Sequence, residues 1–537
     1  NWFNRQANNY RGVVAWALDH RWAMAFLTTG TFFAAFLLPG KGLTGLFLAT
    51  IGMVALVVAM TKPGLSRPVR IGGAVAGAAL FFLLPGLVPR VIPAWRAVGV
   101  GFFPEEDRSE LTIAIETPPG SSLEYTQLKA QEAMELARKH PEVDYTYTTL
   151  GATTTGAVDE GNIFVKMHPR NERSKSVEEV ARELRREARG ISGVTLSVFT
   201  SDFGGGRKQL QLQLRGGDIN TLAQAGEIVK AEVEKIPGAV DVGLSTKGQK
   251  PEVDVELNRG LAGALGISAG QVAQAMRPAF AGIDAGDWED PTGETRDVQV
   301  RLAPEARRRL TDIQALPLTI VGPAGPTTVP LGQVATVRQS IGPAIIDHLD
   351  REQVVNVELN TSGRASGNVT KSIDSAMAKI KLPAGVRLTY GGDAQAQNEV
   401  FGQIFLALGT AVLLMYLVLV LQFGSFMDPL AILVSLPLSM IGVMVALSVT
   451  GNTINLMSLI GVILLAGIVA KNAILLIDFA KWAREEQGMP LREALIEAGA
   501  IRLRPILMTT FALIAGMIPV ALGRGEGAQF RAPLGVA

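Results

Sequence analysis

The 537-residue sequence contains no cysteine, which excludes disulfides, thiol nucleophiles and thiolate metal ligands. Histidine is scarce as well: His20, His140, His168 and His348 are scattered and match no metal-ligand spacing. No charge excess exists, with 50 Lys and Arg against 49 Asp and Glu, so no overall field draws the chain to nucleic acid. No cleavable signal peptide is visible, and the chain runs from Asn1 to Ala537 with both ends read as cut. The most informative absence is local. The apolar runs Trp22–Leu38, Gly45–Thr61, Ile71–Val88, Val400–Leu421, Pro429–Ser448 and Pro505–Leu522 hold no Asp or Glu, and Leu456–Phe479 holds only Asp478.

These runs approach or exceed the roughly 18 residues that cross a bilayer core at about 1.5 Å per residue, so a polytopic membrane protein is expected. Ahead of them, residues 1–18 interleave Trp2, Phe3, Tyr10, Val13 and Val14 with Arg5 and Arg11, the pattern of an amphipathic interfacial helix. Three spans are expected over 19–98 and four over 396–537, the latter joined by a cytoplasmic loop at 480–504. Counting Lys and Arg in short flanks puts Arg5, Arg11, Arg21, Lys62, Arg67, Arg70, Lys481, Arg484, Arg492, Arg502 and Arg504 on the inner side. Only Lys41, Arg90, Arg96, Arg524 and Arg531 fall outside. The mixed region from Phe103 to Gln395 therefore lies outside.

That region reads as an internal repeat. Leu111–Ile115, Ser121–Lys139, Val143–Leu150, Asn162–His168, Val177–Arg189 and Val194–Phe199 give the order βαββαβ, a ferredoxin-like unit over 99–202. A second unit begins over 203–277 with strands at Gln209–Leu214, Val240–Ser245 and Glu252–Leu257 and helices at Ile219–Lys235 and Ser268–Met276. A Pro/Gly-rich insertion at 278–343 interrupts it, and 344–395 completes it. The fold class is α+β: a helical membrane domain carrying two ferredoxin-like units and an inserted subdomain. Gly204, Gly205 and Gly206 join the units and read as a hinge. Gly266-Ile267-Ser268-Ala269-Gly270 fits the G-x-S-x-G nucleophile pattern, but a helical stretch precedes it where that elbow needs a strand, and Ser268 reads as a helix N-cap.

Lys471 is the sharpest chemical signal. It lies about 5 Å past the middle of its span, too deep for easy snorkelling, and a lysine there costs roughly 2.5–3.5 kcal/mol to insert. Asn472 adjoins it, and Asp478 is about 10 Å away along the helix. Its counter-charge must come from outside this chain. Arg502 and Thr509 are seven residues apart at the start of the last run, where Pro505 suits a first helical turn.

The stretches Gly451-Asn452-Thr453-Ile454-Asn455-Leu456-Met457-Ser458 through Ala470-Lys471-Asn472 to Asp478, Arg502-Leu503-Arg504-Pro505 to Thr510, Phe102-Phe103-Pro104-Glu105-Glu106-Asp107 and Leu421-Gln422-Phe423-Gly424-Ser425-Phe426 resemble the C-terminal half of resistance–nodulation–division (RND) efflux pumps. The resemblance covers 99–537 and, more loosely, 1–38. It implies a homotrimeric proton antiporter of a bacterial inner membrane with a large periplasmic domain. That domain would comprise two porter subdomains and a docking insertion that meets a periplasmic adaptor protein and an outer-membrane channel. It also implies small-molecule substrates, contact with membrane lipids, no nucleic-acid partner, no catalytic residue and no cofactor, the proton gradient being the energy source. Lys471, Asn472, Arg502 and Thr509 would fall in its proton relay. Three departures stand out: three spans precede the external region where the family has one, the Gly151–Asn162 loop lacks aromatics, and the N-terminal half and the final span are read as missing. A lipid or protein exporter of the same superfamily is the alternative. A membrane-anchored ligand sensor is a third, disfavoured by the short inner loops and the buried lysine.

Overall fold

A computed structural model of the protein describes residues 2–25, 28, 72, 98–104, 106–151, 156–200, 208–322 and 325–537. The expected spans Gly45–Thr61 and Ile71–Val88, most of Trp22–Leu38, and the glycines 204–206 lie outside these residues, Gly72 excepted. The chain opens with helix α1 (Trp2–Asp19).

Beyond residue 98 the first repeat is formed by β1 (Glu110–Glu116), α2 (Leu123–Arg138), β2 (Val143–Leu150), β3 (Glu160–Met167), α3 (Val177–Ala188) and β4 (Thr195–Phe199). Its sheet is antiparallel in the order β2-β3-β1-β4. Strand β1 alternates strictly, burying Leu111, Ile113 and Ile115. That period of two turns one face onto both helices, whose Ala130, Ala133, Val180 and Leu184 join the same core. Ser176 caps α3 in a reciprocal box with Glu179.

The second repeat starts with β5 (Leu210–Arg215), α4 (Ile219–Val233) and β6 (Ala239–Leu244). The chain then leaves it. A separate compact unit comprises Pro118–Ser122 and Thr246–Ile346. It contains β7 (Gln249–Leu257), α5 (Arg259–Ala264), α6 (Ala269–Phe280), β8 (Ile283–Glu289), β9 (Thr295–Val300), α7 (Leu310–Gln314), β10 (Pro317–Gly322), β11 (Gly325–Pro330), α8 (Leu331–Val334) and β12 (Ala335–Pro343). The insertion thus begins before residue 278. Strand β7, expected in the second repeat, pairs instead with β12 from Gln249↔Pro343 to Leu257↔Ala335, and Arg338 bonds Asp254 across that ladder at 2.9 Å. Helix α6 belongs to the same unit, and Ser268 is its N-cap, boxed with Gln271. The serine's hydroxyl is committed to a helix end rather than to nucleophilic chemistry.

The second repeat resumes with β13 (Asp347–Leu349), β14 (Glu352–Thr361), α9 (Ser366–Met377) and β15 (Arg387–Gly391). Strand β14 fills the place expected for Glu252–Leu257, because it presents Val355, Val357 and Leu359 to the core that α4 and α9 close. It lies between β6 and β5, and β5 pairs with β15. The order β6-β14-β5-β15 matches that of the first sheet strand for strand.

The membrane region comprises α10 (Gly392–Phe423), α11 (Met427–Leu433), α12 (Ser435–Thr450), α13 (Leu456–Glu485), α14 (Leu491–Ala521) and α15 (Ala528–Val536). Among the described residues, four stretches are long and apolar enough to cross a membrane: α10, α11 with α12, α13 and α14. Their outward faces carry side chains such as Leu406 and Leu421, the latter 84% exposed, which need an apolar surrounding. The break between α11 and α12 follows from Pro437, which has no N–H to offer the Leu433 carbonyl one turn back. Gly424 and Gly451 end α10 and α12 in the left-handed conformation that suits glycine.

Two expectations change here. Helix α13 runs to Glu485 and α14 starts at Leu491, so the loop expected at 480–504 shrinks to 486–490. Pro505 accordingly lies inside α14 rather than in its first turn. The charged N-terminal extension of α14 carries α1 on its side. Arg11 bonds Glu497 at 2.8 Å and Arg492 bonds Asp19 at 3.0 Å. Buried Ala494, Ala498 and Gly499 let the helices approach, and a Cβ on Gly499 would stand 3.0 Å from Tyr10 Cε1.

The stretch from Val98 to Asp107 ties the membrane helices to the first repeat. Ile454, just before α13, donates its N–H to the Gly99 carbonyl and accepts from the Gly101 N–H. Asp107 then joins three elements. Its carboxylate accepts from Arg173 Nη2, from the Ser109 N–H at 3.1 Å and from the Val177 N–H at 3.2 Å, the first residue of α3. Its own N–H donates to Gln529 Oε1 of α15 at 3.2 Å. The Arg173 side chain is 1% exposed and that of Asp107 9%. Asp107→Ala is therefore expected to destabilise the protein by about 3–5 kcal/mol, because it strands a buried guanidinium. A thermal melt in detergent checks this, and an unchanged midpoint contradicts it.

Candidate functional site: the membrane lysine helix and the junction above it

Helix α13 starts where its sequence provides a cap. Asn455 accepts from the Ser458 N–H at 3.0 Å while Ser458 Oγ receives the Asn455 N–H at 2.9 Å. Both residues are almost fully buried, so the start of α13 is fixed against the 99–102 stretch. From there the helix passes Ala470, buried among Leu419, Phe423, Ile432 and Leu436 of α10 to α12. Lys471 follows on a different face. It is exposed on the surface of this chain and makes no hydrogen bond or ion pair among the described residues. Asn472 is half-buried beside it.

Helix α14 packs against α13. Arg502 stands with its guanidinium 5.2 Å above the Phe479 ring of α13, a cation–π arrangement, and its Nε is buried without a hydrogen-bond partner. Thr509 turns its Oγ1 back onto the Ile506 carbonyl at 3.0 Å. Lys471, Asn472, Arg502 and Thr509 are thus gathered on two packed helices. No hydrogen bond or ion pair joins them to one another among the described residues.

Sequence reasoning passed over the junction where these helices meet the repeats. A cavity of about 780 Å³ there is lined by Arg364, Asn368, Asn452, Thr453 and Gln529. A smaller one of about 100 Å³ adjoins it, with Glu178, Gln209, Arg364, Asp393 and Thr453 on its walls. Arg364 is fixed by the Pro237 carbonyl at 2.6 Å and by Ser372 Oγ at 3.2 Å. Elsewhere in the second repeat Tyr390 bonds Asp374, and burial, reinforced by that carboxylate, pushes its hydroxyl pKa far up, so it stays a neutral donor. The signal for this junction was present in the Asn455-x-x-Ser458 capping pattern and in Asp107. The partners of Asp107 lie far along the chain, which hides them from local reading.

The arrangement places a membrane-embedded cation on α13 about 22 Å along the helix from the polar cavity at its start. No group of three His, Cys, Asp or Glu side chains among the described residues is placed to hold a metal.

Residues 75–537 match the model of the AcrB/AcrD/AcrF family. Two X-ray crystal structures of a heavy metal efflux pump, in different crystal forms, share the fold. One has 22% identity and a TM-score of 0.66, over 92% of this chain and 55% of the pump. The other has 21% identity and a TM-score of 0.65, over 99% of this chain and 57% of the pump. The chain thus spans little more than half the length of these structures. With most of its residues matched from before the first repeat through α15, the chain belongs to the AcrB/AcrD/AcrF family of RND proteins.

Proposed function

We propose that the chain is the C-terminal half of a proton-driven efflux transporter, a secondary antiporter rather than an enzyme. It exports small amphiphilic or hydrophobic compounds outward from the periplasm or the inner membrane. The reading is carried by Lys471: a lysine inside a membrane-crossing helix, exposed on this chain's surface and without an acidic partner among the described residues. Such a charge costs roughly 2.5–3.5 kcal/mol to insert and is retained where it meets a carboxylate or water. The carboxylate comes from the other half of the transporter. Ionised, it holds Lys471; protonated, it releases the lysine toward Asn472, Thr509 or water. Those two arrangements form the bistable element that a proton gradient biases. Arg502 completes the relay from α14.

The transporter acts as a homotrimer in a bacterial inner membrane, with an adaptor and an outer-membrane channel as partners. Both repeats are read as ferredoxin-like porter subdomains, supported by their common strand order. They open as rigid bodies relative to one another. The solved neighbours are described as heavy metal efflux pumps, and at about one-fifth identity that cargo does not transfer.

Three outcomes are expected. Ser174 and Gln487 are exposed, so single cysteines there label from opposite faces of intact cells, in a chain with no native cysteine to interfere. Labelling from one face would overturn the orientation. A thiol cross-link between cysteines at Glu178 and Ser362, which are hydrogen-bonded to each other from different repeats, stops transport while leaving the protein assembled; transport at the normal rate rejects the opening motion. Lys471→Met, measured in the full-length transporter, abolishes proton-coupled export with folding intact, and normal export by this variant ends the proton-drive reading.

A further inference from the structure

Helix α3 and strand β6 flank a cavity of about 820 Å³, within the size range of small-molecule sites. Four arginines of one short stretch line it: Arg182, Arg185, Arg186 and Arg189. Only Glu234 and Asp241 oppose them there, so the walls carry a formal +2 (four positive, two negative). The arginines fall into two kinds. Arg185 is structural. Its side chain is 10% exposed, its Nε donates to Asp241 Oδ2 at 3.0 Å, and its Nη2 donates to the Val198 carbonyl. Its Nη1 is buried with no hydrogen-bond partner, the nearest carboxylate oxygen being Glu178 Oε1 at 3.7 Å. Nη1 is ion-paired with Glu178, which does not line this cavity, so Arg185 adds positive charge behind the cavity wall rather than a free donor.

Arg182, Arg186 and Arg189 are exposed and form no ion pair among the described residues. The acids on the neighbouring face of α3 are hydrogen-bonded to other groups and act on Arg182 and Arg186 only through space. Glu183 is bonded to Lys175, which holds its carboxyl below the usual range, and Glu179 closes the capping box with Ser176. The remaining walls include Ile191, Val194, Leu196, Val240 and Val242. Planar guanidinium forks match carboxylate and phosphate oxygens two at a time, and aliphatic walls suit a hydrocarbon body.

We propose that this cleft binds amphiphilic anions. A carboxylate, sulfate or phosphate head sits among Arg182, Arg186 and Arg189 with Arg185 behind it, and the apolar body lies along the valines and Ile191. This rests on the transport reading only in supplying the cargo class; the binding itself is independent of proton coupling.

The test uses the full-length protein in phosphatidylcholine nanodiscs and three ligands with one tail: octanoate, octanol and octyltrimethylammonium, followed by calorimetry. Octanoate is expected to bind at least tenfold more tightly than either of the others. Arg182→Gln/Arg186→Gln/Arg189→Gln should erase that preference with an unchanged melting temperature. If the triple variant melts early, Arg186→Gln alone should still weaken octanoate about threefold. Equal binding of the cation and the anion, or full octanoate affinity in a folded variant, overturns the proposal. Repeating the titration in phosphatidylglycerol nanodiscs identifies the source of the anion. Loss of octanoate binding there means a lipid headgroup fills the site, and unchanged binding means a free amphiphile does. If octanoate behaves as expected while Lys471→Met still exports normally, the proton-drive reading fails and the cleft stands.

Discussion

The buried Asp107 carboxylate is the constraint on which the junction depends. One side chain serves the Arg173 guanidinium, the turn at Ser109 and the first N–H of α3, while its own peptide N–H reaches α15. Water cannot take over these bonds at such burial, so the first repeat keeps its place on the membrane helices only while this side chain stays enclosed with its partners. The Ile454 bridge and the Asn455–Ser458 cap repeat the same solution on the neighbouring stretch, by fixing backbone groups that a loop would leave to solvent.

Stability and chemistry occupy different faces of the same helices. Helix α13 turns Ala470 into a packed cluster and the adjacent Lys471 outward. Small residues recur where helices approach closely, as at Ala494, Ala498 and Gly499 under α1. In a bilayer the lipid is as apolar as the side chains, so close packing takes over the role that hydrophobic burial has in water; the Arg11–Glu497 pair lies on the charged extension of α14 past the apolar run.

The membrane helices were legible because about 20 apolar residues have few alternatives. Their ends were not, because α13 and α14 continue past the apolar run with charged residues that hydropathy assigns to loops, from Lys481 to Glu485 and from Leu491 to Arg504. The first repeat was readable from β1's strict alternation. The second was misjoined at Glu252–Leu257, since that segment alternates as a strand whichever partner it finds, and its partner β12 lies about eighty residues on. Lys471 was visible because it violates the composition of its helix. The arginines of α3 were not, because charge on an amphipathic helix is ordinary until β6 closes a cavity over it.

Strand β15 ends at Gly391 and α10 begins at Gly392 with no intervening linker. At about 1.5 Å per residue, the 32 residues of α10 form a rod roughly 48 Å long, rooted directly in the edge of a β-sheet. The joint is tight: a Cβ on Gly391 would come within 2.3 Å of Gln213 Nε2. A shaft mounted this way has no slack. Any twist or piston movement of its lower end is delivered to β15 as torque or thrust, and through β15 to its ladder partner β5.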